Sequence, residues 1–511
     1  MSVVSARLVN PPSVRLLLAL GLGRAIPWLR RARHFCDLPA LDASGQIPEW
    51  RYRRWIAEHE QVDDTLEGPA NITVLPLARI AQATSNWVAI REDGDQLAPA
   101  ALGEIGRAIA QHPEGDLFYS DEDEIDERGQ RCRPRFKPDW SPDYLRSCNY
   151  IGGLLVVRRD LLHRVGPVTC DYDLALKLSE VARRIIHVPK VLYHRRRPRI
   201  TDQDADALRE HFRRIGLEAD VSPRDEPGTF RVRYRHHGRP RVSVIIPNRD
   251  QAEMLERCLA AFGDDGYPDV EILIVENGSR RHETFALYER ARQRSNVRIL
   301  TWDQPFNYAA INNFAVARAT GELLLFLNND LEALHADWLD RLVELALLPG
   351  VGAVGAKLQY PDRTLQHAGV VLGMYGVAGH VYRRHPSDAP GYLECLRVPH
   401  NVAAVTGACL LMPRAVFEQI GGFDEEFGIA FNDVDLCLRS LQAGYRTIWT
   451  PDSVLIHHES KTRGVDANWA DRSRLVRETD RLRQKWADLL RQGDHYFGPH
   501  FRLDRTDCCL K

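Results

Sequence analysis

The sequence predicts an α/β fold on a Rossmann-like, mostly parallel sheet, and three short apolar runs predict it. Val242-Ser-Val-Ile-Ile246, Glu271-Ile-Leu-Ile-Val275 and Leu323-Leu-Leu-Phe-Leu327 are nearly all apolar. Each stops at polar, turn-forming residues: Pro247-Asn248, Glu276-Asn277-Gly278-Ser279 and Asn328-Asn329-Asp330. Strands covered by helices on both faces have this composition, because neither face meets water. After the first run, Met254, Leu255, Cys258, Leu259 and Phe262 recur at helical spacing. A further run, Val297-Arg-Ile-Leu300, sits between two more helical stretches. Alternating strands and helices wind a sheet on both sides, and such sheets bind ligands beyond the carboxyl ends of their strands.

The chain has 511 residues, enough for two or three domains. A formal net charge of −2 excludes a polyanion binder acting through the whole molecule. Residues 1–75 form a basic leader and a helical segment. No acidic residue precedes Asp37, while Arg7, Arg15, Arg24, Arg30, Arg31 and Arg33 do. The apolar run Leu16 to Leu22 is too short to span a bilayer and lacks the small-residue cleavage site of a secretory signal. Two readings fit it: a segment lying on an anionic membrane surface, and a helix packed on its own domain. A helix is predicted from Glu49 to Gln61. Residues 76–200 form a first α/β region. Residues 201–240 hold a helix, Asp204 to Ile215, and an Arg-rich connector starting at Arg231, with too few aromatics to suggest nucleic acid. Residues 241–464 are the best-patterned domain, and residues 465–511 form a helical tail. The 10 cysteines include no CxxC pair, which argues against a disulfide framework or structural zinc and for a reducing cytoplasm.

Three segments carry chemistry. Asn329-Asp330 ends a strand, where a carboxylate beside amides suits a divalent cation that holds a diphosphate; the structural alternative is a turn. Asn432-Asp433 begins a helix whose apolar positions are Val434, Cys437, Leu438 and Leu441. There Asp433 is either an N-cap or a general base aimed into a cleft. His457-His458 follows the apolar run Ser453 to Ile456, where imidazoles serve structure or ligate metal. Cys409, inside the apolar run Ala408 to Met412, is expected in the core.

Taken in order, these segments resemble a family-2, inverting GT-A glycosyltransferase of the bacterial surface-polysaccharide type, across residues 241 to 464. Phe306-Asn-Tyr-Ala-Ala-Ile-Asn-Asn313, Gln366-His-Ala-Gly369, Val405-Thr-Gly-Ala-Cys409, Gly421-Gly-Phe-Asp424 and Phe431-Asn-Asp-Val-Asp-Leu-Cys-Leu-Arg439 complete the set. The resemblance implies a catalytic base at Asp433. It implies that Asp330, with His457 or His458, holds a divalent cation, Mg or Mn. Pro247, Arg249, Glu276, Asn307, Asn313 and Asn329 would contact the nucleotide sugar. Two departures stand out: Asn328 replaces the first acid of the DxD-type motif, and Asn432 precedes the base where many relatives carry Glu. The implied partners are a nucleotide-diphosphate sugar and a glycan or lipid-linked acceptor, with no nucleic acid. The implied place is the cytoplasm, at the inner face of the membrane where the basic leader touches it.

Residues 76–200 resemble the second half of the same domain, so a partial GT-A-like N-terminal domain is expected. The DxD-type position there reads Glu92-Asp93-Gly94, with Asp171 and His194 in place of base and metal ligand. Only Ile72-Thr-Val-Leu75 precedes it as a strand, too little to bind a donor nucleotide. The acidic run Asp121 to Glu127 is expected to be a solvated turn. The competing functional reading is a degenerate, non-catalytic scaffold, favoured by Asn328 and opposed by Asp330, Asp433 and the histidines. A dinucleotide oxidoreductase is disfavoured because no GxGxxG follows Ile246.

Overall fold

The computed structural model describes residues 40–60, 71–196, 200–263, 266–458 and 469–511. The basic leader, with its membrane reading, lies outside them, as do Glu459 and Ser460. The N-terminal unit opens with the helix Glu49–His59. Its strands are β1 (Ile72–Leu75), β2 (Trp87–Ile90), β3 (Gln96–Leu97), β4 (Leu117–Ile125), β5 (Arg131–Arg135), β6 (Leu155–Arg158) and β7 (Ile185–Arg195). They form one sheet in the order β1-β2-β6-β4-β7-β3, with β5 on β4.

A helix, Asp204–Arg214, leads to a hairpin of β8 (Ala219–Pro223) and β9 (Phe230–Tyr234). The Arg-rich connector is therefore partly a strand. Its arginines are spent within the molecule: Arg233 pairs with Glu344 at 3.0 Å and Arg235 with Asp220 at 2.8 Å.

The large sheet follows. Its strands are β10 (Val242–Asn248), β11 (Val270–Glu276), β12 (Val297–Thr301), β13 (Leu323–Leu327), β14 (Leu331–Ala333), β15 (Val351–Gln359), β16 (Leu365–His367), β19 (His400–Asn401), β20 (Cys409–Pro413) and β21 (Arg446–His457). Between β16 and β19, β17 (Val370–Leu372) and β18 (Ala378–His380) form a separate pair. The large sheet runs β12-β11-β10-β13-β20-β15-β21-β14, with β16 on β15 and β19 on β21. The three apolar runs lie side by side as β11, β10 and β13, parallel and buried. β20 alone runs against the long central strands; β14, β16 and β19 are short additions.

The two sheets share a plan. The pairs β1/β2, β2/β6, β6/β4, β4/β7, β7/β3 and β4/β5 match β10/β13, β13/β20, β20/β15, β15/β21, β21/β14 and β15/β16, each in the same parallel or antiparallel sense. Both long parallel pairs slip register at a proline. β4/β7 slips past Pro189 and β15/β21 past Pro451, because proline has no N–H for the ladder. Among the described residues β11 and β12 have no N-terminal counterpart. The N-terminal unit thus repeats part of the larger sheet, as the expectation of a partial second copy requires.

The acidic run is a solvated turn only at its end, Asp126-Glu127; its first part is a buried strand. Asp121, Glu122 and Asp123 lie in β4 and are almost wholly buried. Each is matched from elsewhere in the chain. Asp121 meets His187 at 2.9 Å and His500 at 3.1 Å. Glu122 meets Lys137 at 3.1 Å, and Asp123 meets Arg131 and His194, each at 2.5 Å. Burial alone would raise the Asp121 and Glu122 carboxyls, but their cationic neighbours outweigh it and hold each at about 2.

The two units are joined by polar contacts with few loose ends. Asn401 accepts from Ser141 Oγ at 2.9 Å and donates to Asp143 at 2.7 Å; Arg446 donates to Asp143 at 2.9 Å. The tail is helical only in part. Helices Trp469–Lys485 and Ala487–Gln492 are followed by an irregular return onto the N-terminal unit. There His495 reaches Asp139 at 2.9 Å and Arg51 donates to Cys509 Sγ at 3.1 Å.

Asp139 raises the His495 pKa. A histidine raised by folding stabilises fully below its ordinary value near 6.5 and loses that contribution as pH rises through the raised value. His495→Ala should therefore cost most near about pH 6 and least near about pH 9. Both side chains are almost half exposed, so the difference should stay below about 1 kcal/mol. Urea unfolding of both proteins across that range checks it, and a cost that grows with pH contradicts it.

Candidate active site

The carboxyl ends of β13, β10 and β11 are tied by a chain of hydrogen bonds running one way. Asn329 Nδ2 donates to Asn248 Oδ1 at 2.6 Å, and Asn248 Nδ2 donates to the Tyr288 hydroxyl at 2.7 Å. The Tyr288 hydroxyl donates to Glu276 Oε2 at 2.5 Å. Glu276 also accepts from Ser279 N and Oγ, each at 2.5 Å. Asn329 and Glu276 are thus buried and largely committed to this chain. Pro247 is half-buried at the end of β10, and Arg249 just beyond it is exposed.

Asp330 follows β13 and immediately precedes β14. Leu331 of β14 pairs with His457 of β21, which sets the His457 ring beside Asp330. His457 Nε2 lies 3.2 Å from Asp330 Oδ1 and 3.4 Å from Asn328 Nδ2. Nε2 donates to Asp330 when it carries the ring proton and accepts from Asn328 when it carries the lone pair. Asp330 Oδ1 and His457 Nδ1 are buried without a hydrogen-bond partner among the described residues. A buried carboxylate oxygen beside an imidazole nitrogen at a strand end fits a divalent cation as their shared partner. Burial would raise the Asp330 carboxyl; His457 and His458 outweigh it and hold it below the usual range. His458 turns away, with Nε2 3.2 Å from Glu332. Of the two histidines, His457 faces Asp330.

Asp433 lies in the first turn of the helix Asn432–Gln442, but it is not the cap. Phe431 is, in left-handed conformation at φ 62. Such a backbone costs a non-glycine residue about 1 kcal/mol and concentrates at functional sites. Asp433 reaches out instead: its Oδ2 accepts Gly407 N–H at 2.8 Å and its Oδ1 accepts Val434 N–H at 2.8 Å. Gly407 sits in the turn before β20. Its carbonyl accepts from the Tyr308 hydroxyl at 2.7 Å, and the next carbonyl, of Ala408, accepts Asn328 N–H at 2.9 Å. One turn thus bridges Asp433 to the segment carrying Asp330. A Cβ at Gly407 would lie 3.2 Å from the Tyr308 oxygen and 3.4 Å from Asp433 Cβ, too close for comfort.

Asn307 and Asn313 are engaged elsewhere. Asn307 caps the helix Tyr308–Val316 through Ala310 N–H at 3.0 Å and donates to the Glu425 carbonyl at 2.8 Å. Asn313 clasps the Phe423 backbone through both ends of its amide, each at 2.9 Å. Both fasten the loop ahead of Asp433. Cys409 is buried, and burial pushes its thiol up to about 12. Tyr288 and Tyr308 are the polar residues that sequence reasoning passed over. Each sits among apolar helix positions, and only its hydroxyl reaches the site.

The N-terminal unit repeats the acid in altered form. Gln96 of β3 pairs with His194 as Leu331 does with His457, so Asp95, not the Glu92-Asp93-Gly94 segment, takes the place of Asp330. Asp95 accepts from the Tyr193 hydroxyl at 2.7 Å and Arg196 N–H at 2.9 Å. His194 turns to Asp123 instead.

The sequence model of glycosyl transferase family 2 matches residues 243–421, and that of glycosyl transferase family group 2 matches residues 365–494. The chain carries a family-2 glycosyltransferase domain. It is 43% identical over 445 residues to the O-antigen biosynthesis protein RfbC of Myxococcus xanthus, covering 82% of this chain and 34% of that protein. The chain therefore spans about a third of that relative's length. It is 28% identical over 249 residues to the N-acetylglucosaminyl-diphospho-decaprenol L-rhamnosyltransferase of Mycobacterium tuberculosis, covering 44% of this chain and 78% of that enzyme. A mannosyltransferase from Pyrobaculum calidifontis, solved with GDP-Man and Mn2+, aligns at 23% identity and a TM-score of 0.36 over 50% of this chain and 65% of its own. No helix among the described residues is long and apolar enough to cross a membrane.

The strand-end chain makes a stability prediction. Tyr288→Phe keeps the ring but strips Asn248 of its acceptor and Glu276 of a donor. It should cost about 1–3 kcal/mol in urea unfolding. A cost near zero would mean the hydroxyl is not the link.

Proposed function

We propose that the chain transfers a sugar from a nucleotide-diphosphate donor to a glycan or lipid-linked acceptor in cell-surface polysaccharide synthesis, by one displacement with inversion. The observation that carries the reading is the turn joining Asp433 to the Asp330–His457 pair, with a base on one side and a diphosphate-type site on the other. The family-2 match and the likeness to RfbC and to a rhamnosyltransferase support it. A deoxyhexose such as rhamnose and a hexose are both compatible donors.

In this reading the acceptor hydroxyl approaches the anomeric carbon from the face opposite the diphosphate. The new C–O bond forms as the bond to the diphosphate oxygen breaks, through an oxocarbenium-like state. Asp433 takes the acceptor proton. Each of its oxygens holds one backbone N–H, which fixes the carboxylate and leaves lone pairs for that proton. Asp330 and His457 would hold a divalent cation, Mg or Mn, which supplies charge stabilisation to the departing diphosphate. Pro247 and Arg249 border the nucleotide from the β10 end. The strand-end chain through Asn329 and Glu276 keeps that edge rigid, and Asn307 and Asn313 hold the loop before the base. Contact with a membrane surface would come from the basic leader.

Two outcomes test this. Asp433→Asn should keep nucleotide binding while transfer falls by about a hundred- to ten-thousand-fold; near-wild-type transfer removes Asp433 from the role. Thermal unfolding against UDP, dTDP and GDP, with and without Mn2+, should show metal-dependent stabilisation by one of them, about 2.7 kcal/mol at about 100 times its Kd. Asp330→Ala should abolish the metal-dependent part. No shift with any nucleotide turns the reading toward a non-catalytic scaffold.

A further inference from the structure

The turn that holds Asp433 is held from its other side by a histidine that the proposed reaction does not use. Gly407 N–H donates to Asp433, and the preceding N–H, of Thr406, donates to His367 Nε2 at 3.3 Å. His367 is fully buried at the end of β16, opposite Leu358 of β15. A backbone N–H can only donate, so His367 Nε2 carries the lone pair and the ring proton sits on Nδ1. That Nδ1 meets His380 Nδ1 of β18 at 3.0 Å, with the rings edge-on at 75°. His380 therefore accepts there and keeps its own proton on Nε2. Burial first, then His380 and His457, push His367 well below the usual histidine range, so its ring is neutral. A proton on Nε2 would set donor against donor at Thr406.

From this juxtaposition we propose that His367 is a positioning residue for Asp433, with His380 selecting the tautomer that lets it hold the Thr406-Gly407 turn. The proposal rests on reading Asp433 as the base. Without an acceptor on residue 367 the Thr406 N–H is left unpaired in a buried turn, and the next N–H along the chain is the one that orients the carboxylate. The strand-end chain through Asn329, Asn248 and Glu276 does not pass through this turn, and the turn's tie to the Asp330 segment runs through the Ala408 carbonyl rather than through the Thr406 N–H, so donor binding is spared.

The test uses the full chain and the release of nucleoside diphosphate from dTDP-rhamnose, UDP-glucose and GDP-mannose, taking whichever donor the wild type turns over. His367→Phe fills the space but offers no acceptor; His367→Gln returns a carbonyl oxygen near the Nε2 position. The Phe variant should lose about ten- to a hundred-fold in kcat with donor KM unchanged, and the Gln variant should recover most of it. Equal losses in both variants, no loss in the Phe variant, or a loss confined to KM overturns the proposal. A second measurement does not need turnover. In protein labelled with nitrogen-15 at histidine, the resonance lost in both variants should show the Nδ1–H tautomer, and that tautomer should disappear in His380→Phe. An Nε2–H signal for His367 overturns the proposal even if a donor is found. If the wild type turns over no donor, the functional reading fails, while the tautomer still decides whether the two histidines act as described.

Discussion

The reversed strand β20 sets the geometry of the large sheet. Its neighbours β13 and β15 run in one direction, and their carboxyl ends form the edge where ligands bind in such sheets. Because β20 runs the other way, its beginning lies at that same edge: Cys409 pairs with Leu327, the last residue of β13. The turn that feeds β20, Thr406-Gly407-Ala408, is thereby delivered to the site. A parallel strand there would have carried its entry turn to the opposite edge. From this one reversal follow the contacts to Asn328, Tyr308, Asp433 and His367, since each reaches a backbone group of the turn or the residue next to it.

The N-terminal unit keeps the reversal and turns the edge to another use. β6 runs against β2 and β4, and the turn before it again holds glycine. A Cβ at Gly153 would fall 1.7 Å from Glu122 Oε2, so the buried carboxylate fills the space beside the turn. Lys137 then bonds Glu122 and the carbonyls of Ile151 and Gly152 at 2.9 and 3.1 Å. Asp95 and His194, the topological partners of Asp330 and His457, are each satisfied by groups of their own unit. Charges buried this deeply persist only when each is paired, and removing one partner strands the other. The same topology thus gives a brace in one half and, in the other, a buried acid and imidazole facing each other.

What the sequence revealed and what it hid follow from the range of the interactions. The strands β10, β11 and β13 were legible because burial on both faces leaves a local, apolar signature. The positions of Asp330 at a strand end and Asp433 in the first turn of a helix were legible because each adjoins a regular apolar pattern. The acidic strand β4 was not. Its carboxylates are neutralised by Arg131 and Lys137 nearby and by His187 and His500 much farther along, and no local pattern announces which cation meets which acid. Asn307 and Asn313 show a second limit. An amide that caps a helix or clasps a backbone is chemically the same as one that meets a sugar, and only the fold separates the uses. The left-handed Phe431 shows a third: helix periodicity located the start of the Asp433 helix, but it could not tell which residue caps it.

Asn328 stands where the family pattern has an acid, and the structure gives that substitution a physical sense. An aspartate at this position could only accept, and it would add a second negative charge beside the buried Asp330. The asparagine amide adds no charge and lies 3.4 Å from His457 Nε2. Its backbone N–H is held by Ala408, on the turn that holds Asp433. The substitution therefore leaves Asp330 as the one carboxylate beside His457. Among its nearest partners, a cation at this site would meet a single carboxylate and an imidazole. Such a set holds a hard ion less tightly than two carboxylates do.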